Sequence, residues 1–253
     1  RIIASDGRLL LTMNKRRING VFFDLGWTLE RPADDDWVLT SCFFEHVGKD
    51  RYYAIEKAKR KAALAHANQP LIDHHLVLTL EEENKRFIEF YRDLNASLLL
   101  GLSNDEINAI AYDHTYNFSN YVVFDSTLNT LQKLKHLGYR IGVISDTWPS
   151  TVPQQEEAGL WSYYDCTTLS CFLGVMKPNP RMYEDALEKM GLPAEETVYV
   201  DDLTMSLNAA RKYGINGILS SAPTGITSHQ DYPCILQPDG IFDVLKELNG
   251  GIL

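Results

Sequence analysis

The chain has 253 residues, 45% of them hydrophobic, with 24 Lys and Arg against 34 Asp and Glu for a net charge of −10. That length fits one large domain or a core domain with an insert, and the apolar fraction can fill a sizeable core. The acidic balance, with no basic stripe, argues against binding nucleic acid or an anionic membrane surface, and no apolar run is long enough to cross a bilayer.

At the amino terminus, Leu9-Leu10-Leu11 is too short for a secretory apolar region, and Lys15, Arg16 and Arg17 follow it instead of preceding it. Met13 is a candidate native start, with residues 1–12 as a leader or an addition. The cysteines, Cys42, Cys166, Cys171 and Cys234, are scattered and lack the spacing of a zinc site. Such usage predicts reduced thiols and a cytoplasmic location.

The first strong element is the apolar run from Ile18, ending at Asp24 in Gly20-Val21-Phe22-Phe23-Asp24-Leu25-Gly26-Trp27-Thr28-Leu29. Successive large apolar residues predict a strand buried on both faces, with Asp24 at its carboxyl end. Glu30 to Trp37 is polar and broken by Pro32, so it reads as a linker. From Trp37 to about Asn120 the pattern is helical. Expected helices run from Val38 to Val47 and from Arg51 to Ala67. Two more start with threonine or serine followed by acids, at Thr79 and Ser103.

Beyond Tyr121, strands and helices alternate. Strands are expected at Tyr139–Ser145, Tyr164–Leu169, Thr197–Asp201, Ile215–Leu219 and Cys234–Leu236. Helices are expected at Ser126–Leu137, Thr151–Leu160, Arg181–Met190, Ser206–Tyr213 and Ile241–Leu248. The fold class is therefore α/β, a Rossmann-like doubly wound parallel sheet, with an all-helical insert. The core domain covers 13–30 and 121–253, and the helical domain covers 31–120.

In a parallel sheet all strand carboxyl ends share one edge, where ligands bind. Asp24 ends the first strand, Ser145 the second, with Asp146 and Thr147 after it, and Asp201-Asp202 a later one. Lys177 lies in Gly174-Val175-Met176-Lys177-Pro178-Asn179-Pro180, just before a helix. Three carboxylates brought together repel unless a cation joins them, and an all-oxygen set suits Mg²⁺. Lys177 and that ion would neutralise a phosphoryl group, with Ser145 donating to its oxygens and Asp146 beside it as a further substrate contact. Asp24 could then attack phosphorus and form an aspartyl-phosphate.

These four segments, in this order, resemble the motifs of the haloacid dehalogenase superfamily. The resemblance rests on Asp24–Leu29, the strand ending in Ser145, Lys177-Pro178-Asn179-Pro180, and Val200-Asp201-Asp202. It implies a helical cap of the first type in place of the insert, and hydrolysis of a small phosphorylated metabolite. It makes Asp24 the nucleophile and a metal ligand, the Gly26 carbonyl a second ligand, Asp202 a third, and Asp201 a direct or water-mediated one. Ser145 and Lys177 would hold the phosphoryl group, and Thr28 would support the first loop.

Two positions depart from that pattern. Gly26 stands where phosphatases of the superfamily carry a second aspartate that protonates the leaving group, a contribution of roughly 10²–10⁴-fold. Ser206 stands where an Asn or Asp often supports the metal shell. Asp34, Asp35 and Asp36 are the nearest substitute acids, although a solvated charge run is the simpler reading. A leaving group that needs little protonation is the alternative. On this reading Gly26→Asp raises turnover. His74-His75 read as a surface pair, and His46, His66, His114 and His136 as surface or packing residues. Trp27 and Trp148 flank the motifs and read first as packing residues. A metal-free 2-haloacid dehalogenase and a non-catalytic binding protein remain the competing functions. Substrate identity and oligomeric state are not legible.

Overall fold

The computed structural model describes residues 17–253 except 35, together with two short strands ahead of them, β1 (Ile2–Ile3) and β2 (Leu9–Leu10), paired antiparallel. The candidate start at Met13, Asp35 and the rest of the expected leader lie outside the described residues.

β3 (Gly20–Phe23) is buried at every position, as its uninterrupted apolar run requires. β4 (Glu30–Pro32) follows. Five helices come next: α1 (Ser41–Val47), α2 (Lys49–Ala54), α3 (Lys57–Asp73), α4 (Leu80–Leu98) and α5 (Asn104–Tyr116). The chain returns through β5 (Tyr121–Val123) and then alternates: α6 (Thr127–His136), β6 (Arg140–Ser145), α7 (Thr151–Glu157), β7 (Cys166–Leu169), α8 (Ser170–Leu173), α9 (Pro180–Met190), β8 (Thr197–Asp201), α10 (Thr204–Arg211), β9 (Asn216–Ser220), β10 (Cys234–Ile235) and α11 (Ile241–Leu248).

Six strands form a parallel sheet in the order β10-β9-β8-β3-β6-β7. The chain leaves β3 towards β6 and β7, then crosses back to build β8, β9 and β10 on the other side. The order reverses beside β3, which opens a crevice at its carboxyl end. Alternation along β3 sends Val21 and Phe23 into the core shared with α6 and α11, and Phe22 into the core shared with α9 and α10. The sheet is therefore covered on both faces, as expected.

The helical region has its own core, built on Phe43, Phe87, Phe90, Tyr91, Leu94 and Ile110. Two of its starts are those the sequence predicts, while the helix expected from Val38 begins at Ser41. The Thr79 hydroxyl accepts from Glu82 N at 3.2 Å, and Ser103 and Glu106 form a reciprocal capping box. The helix expected over 51–67 is instead divided between α2 and α3. Ile55 is extended there, and its carbonyl accepts from Arg60 Nε at 3.0 Å.

Glu30–Pro32 is not a linker. It pairs antiparallel with Tyr121–Val123, so the two passages between sheet and helices form one ribbon. Three residues a side leave no periodic signal. The helical region also contacts the sheet side directly: Ser150 donates N–H and hydroxyl to Glu83 at 2.7 Å each, and Val77 N donates to Cys171 O at 3.0 Å. His75 belongs to this contact and is not at the surface. It is buried, with Nε2 2.6 Å from Ser170 Oγ and its ring against Trp148, whereas His74 is exposed. All four cysteines are free thiols. Among the described residues no helix is long and apolar enough to cross a membrane.

Candidate active site

Asp24 follows β3 directly, and its N–H donates to Val200 O at 2.8 Å, which extends the β3–β8 ladder to the site. Asp201 ends β8, Asp202 follows it, and Ser145 ends β6 next door. Lys177 enters from the loop between α8 and α9, where its N–H donates to Asp146 Oδ1 at 2.8 Å. Its ammonium stands 3.1 Å from Asp24 Oδ1, an ion pair without hydrogen-bond alignment, and donates to Asp201 Oδ2 at 2.7 Å. Asp201 is wholly buried. Tyr199 OH donates to the same Oδ2 at 2.5 Å, and Leu203 N donates to Oδ1 at 2.6 Å.

Burial and crowding set the electrostatics. Burial pushes Asp24 up to about 7; Lys177 opposes the rise, Asp201 and Asp202 add to it, and a hydrogen bond from Ser145 lowers it again. Asp202 rises to about 6, through burial first and Asp201 second. Burial disfavours the Lys177 ammonium, but Asp201, Asp24 and Asp146 outweigh it and hold the charge firmly on. Asp24, Asp201 and Asp202 each offer a carboxylate oxygen, all within 4.8 Å of one another. Asp24 Oδ1 is buried without a hydrogen-bond partner. One lysine against three carboxylates, with an Asp24 oxygen that has an ion pair but no hydrogen bond, is a donor set that fits a hard divalent cation.

A cavity of about 380 Å³ extends from this cluster towards the helical region. Asp24, Ser145, Asp146, Lys177 and Asp202 give it a charged and polar lining, and Gly26, Trp27, Glu30, Trp37, Phe87, His114 and Trp148 line it beside them. Trp27 adopts φ 53, a left-handed backbone that costs a non-glycine residue roughly 1–2 kcal/mol. Its N–H donates to Glu30 O at 2.7 Å, and its carbonyl accepts from Ser220 Oγ at 2.6 Å, which hold the turn. Trp37 packs edge-on against Trp27, with ring centroids 6.3 Å apart.

The arrangement brings Asp24, Ser145, Asp146, Lys177, Gly26 and Asp202 to one cavity. Asp201 sits behind them, anchoring Lys177. Thr28 is buried with its hydroxyl unpartnered and does not line the cavity; Ser206 is likewise buried outside it. Asp34 and Asp36 do not reach the cavity as substitute acids. Asp34 accepts from the Ser41 hydroxyl, and Asp36 Oδ1 accepts from Val38 N and Leu39 N. The space beside Gly26 is already taken: a Cβ there would lie 3.0 Å from Trp37 Cζ2. Trp27 and Trp148 are cavity walls as well as packing residues.

Sequence reasoning missed Glu30, Trp37 and the placing of His114. Glu30 is buried, and its Oε2 accepts from Gln154 and Gln155, yet burial pushes its carboxyl up to about 7. His114 is buried against Phe87 with Nδ1 unpartnered, and burial pushes it down to about 4. A lone Glu two residues before a proline and a lone His on a helix carry no motif. The nearest usable signal was the acidic residue six positions after the nucleophile.

A family model described as haloacid dehalogenase-like hydrolase matches residues 22–219. A glyceraldehyde 3-phosphate phosphatase of Methanothermobacter thermautotrophicus is 32% identical over 180 residues, which are 64% of this chain and 76% of that protein. Among solved structures, a HAD family enzyme of Bacteroides thetaiotaomicron in complex with magnesium and inorganic phosphate aligns with TM-score 0.54 and 19% identity, covering 80% of this chain and 94% of that one. A 2-haloacid dehalogenase of Pseudomonas syringae pv. Tomato aligns with TM-score 0.61 and 18% identity, covering 91% and 99%. At such identities the two structures share the fold.

Proposed function

The chain belongs to the haloacid dehalogenase-like hydrolases, and from that premise we propose that it is a Mg²⁺-dependent phosphatase of a small phosphorylated metabolite. One observation carries the reading. Lys177 Nζ lies between Asp24 and Asp201, at 3.1 and 2.7 Å, where three strand-end carboxylates come within 4.8 Å. That cluster is built to receive one more cation and a dianionic group. The likeness to a named phosphatase supports it from outside the chain.

Asp24 is the nucleophile. Its carboxylate forms the new bond to phosphorus, the bond to the ester oxygen breaks, and the electron pair leaves with that oxygen. Water then cleaves the acyl phosphate on Asp24. Lys177 and the Ser145 hydroxyl hold the phosphoryl oxygens through the transfer. Asp24, Asp202 and the Gly26 carbonyl would hold Mg²⁺, which supplies charge neutralisation at those oxygens. Asp201, with both carboxylate oxygens engaged by protein donors, fixes Lys177 and stands behind the ligands. The helical region acts as the cap over residues 31–120. With Gly26 in place of an acid, the leaving oxygen takes its proton from water.

The test is phosphate release from a panel of phosphomonoesters with and without Mg²⁺. The expected outcome is metal-dependent release that Asp24→Asn lowers at least about 10³-fold. Release indifferent to both Mg²⁺ and Asp24→Asn sinks the reading. Halide release from a 2-haloacid without metal would replace it with the dehalogenase, which Gly26 also suits.

A further inference from the structure

We propose that the substrate of this site is an aryl phosphate, a monoester of a phenolic hydroxyl, and not a phosphorylated polyol. The inference rests on the phosphatase reading above and narrows it. Two observations meet here. The first is the exchange at Gly26: where an acid would stand, the Trp37 indole closes to 3.0 Å of the missing Cβ. The site has an aromatic wall in the acid's place. The second is Trp27, kept at φ 53, where a glycine would sit free of strain. A bulky ring held in that backbone needs a use, and both rings line the cavity.

The rest of that end agrees. Trp37 lies 6.0 Å from Tyr121 at an interplanar angle of 30°, and Trp148 and Phe87 meet edge-on across 5.3 Å. Several polar groups on the wall are taken by one another, and His114 Nδ1 is unpartnered. Gln154 donates to Glu30, Ser150 donates to Glu83, and the Thr147 and Thr151 hydroxyls bond together. A sugar or triose would bury several hydroxyls against few available partners, which is unfavourable. A flat apolar ring would meet ring faces and edges instead. The volume of about 380 Å³ is in the range of small-molecule pockets.

Chemistry points the same way. An alcohol leaving as its alkoxide needs a proton in the transition state, because its pKa is near that of water, about 15.7. A phenol, with pKa about 10, leaves far more readily as the anion. As Asp24 bonds to phosphorus, the P–O(aryl) bond breaks and the pair goes to the phenolate, which then takes its proton from water. Hydrolysis of the acyl phosphate completes the balance: ester and water give phenol and phosphate. An aromatic wall and a glycine at position 26 therefore suit one substrate class.

Binding and chemistry are tested separately. Stable phosphonates report recognition without a leaving group: benzylphosphonate is expected to inhibit with a Ki at least about tenfold below that of 3-hydroxypropylphosphonate. Trp37→Ala is expected to raise the first Ki and not the second. Across substituted phenyl phosphates, kcat/KM should rise steeply as the phenol pKa falls, and phenyl phosphate should exceed glyceraldehyde 3-phosphate. Equal or tighter binding of the hydroxylated phosphonate, or preference for the triose phosphate, overturns the inference while Mg²⁺-dependent and Asp24-dependent release leaves the phosphatase reading intact. If no ester gives Asp24-dependent release, both fall together.

Discussion

The two ends of the cavity solve opposite problems. At the sheet end, charged groups face each other across about 3 Å and are fixed by strand ends: Asp24 after β3, Asp201 on β8, and Lys177 between them. At the helical end, rings make the wall and the ionisable groups are buried without charged partners, Glu30 pushed up to about 7 and His114 down to about 4. One end stabilises charge by pairing it; the other excludes charge by burying it. Separate sets of residues thus make the charged cluster and the aromatic wall.

The largest expected break in that contrast is at Lys177. Lys177→Met leaves Asp24 and Asp201 buried without their cation, at a cost of about 3–5 kcal/mol. Urea denaturation reads it directly, and an unchanged midpoint would mean that the acids are not held by the lysine.

Gly26→Asp tests the boundary between the ends. Sequence reasoning alone expects it to restore a missing acid and speed turnover. The Trp37 indole stands in that space, so the expected result is now a loss of about 1–3 kcal/mol in stability and lower turnover. Trp37→Ala in the same chain should recover stability. A faster enzyme with an unchanged Tm would show that the indole yields without cost.

The smallest effects are in pH. His114 titrates at about 4 when folded, against 6.5 ordinarily, so the stability from its neutral form is present above pH 6.5 and is lost as pH falls towards 4. Glu30 rises from 4.5 to about 7, so its contribution is complete below pH 4.5 and is lost as pH rises through 7. Each is expected to amount to about 1–2 kcal/mol, discounted for water entering the cavity. Thermal unfolding against pH should have a shallower acid-side slope in His114→Phe and a shallower alkaline slope in Glu30→Gln, with the share of Asp24, Asp202 and Glu83 remaining. If the wild-type slope survives both changes, the wall residues are not its source.

The phosphoryl end was legible in the sequence because strand periodicity and one-letter order are enough to place strand-terminal residues on one edge. Asp24, Ser145 and Asp202 needed no knowledge of side-chain packing. The sheet, and the capped starts at Thr79 and Ser103, were legible for the same local reasons. The organic end was not. Trp37 reaches Gly26 from eleven residues downstream, His114 comes from a different helix, and Glu30 sits on a three-residue strand whose partner is 91 positions away. Such placements depend on how two cores dock, which no local pattern records. Asp34 and Asp36 read more simply as a charge run than as substitute acids, and the structure agrees. They are near the site in sequence, but their carboxylates are committed to Ser41 and to the N–H groups that begin the helical region.

The β4–β5 ribbon gives the helical region a single neck. Its incoming and outgoing strands are hydrogen-bonded to each other, so any swing of the helices would bend or twist one two-stranded strip and break the Glu83–Ser150 and Val77–Cys171 contacts beside it. Glu30 and Tyr121, one on each strand, both face the cavity. The strip that joins the two regions is thus also part of the cavity wall. A ligand held against that strip would brace the passage between sheet and helices, so weakening the β4–β5 pairing is expected to shorten its residence time.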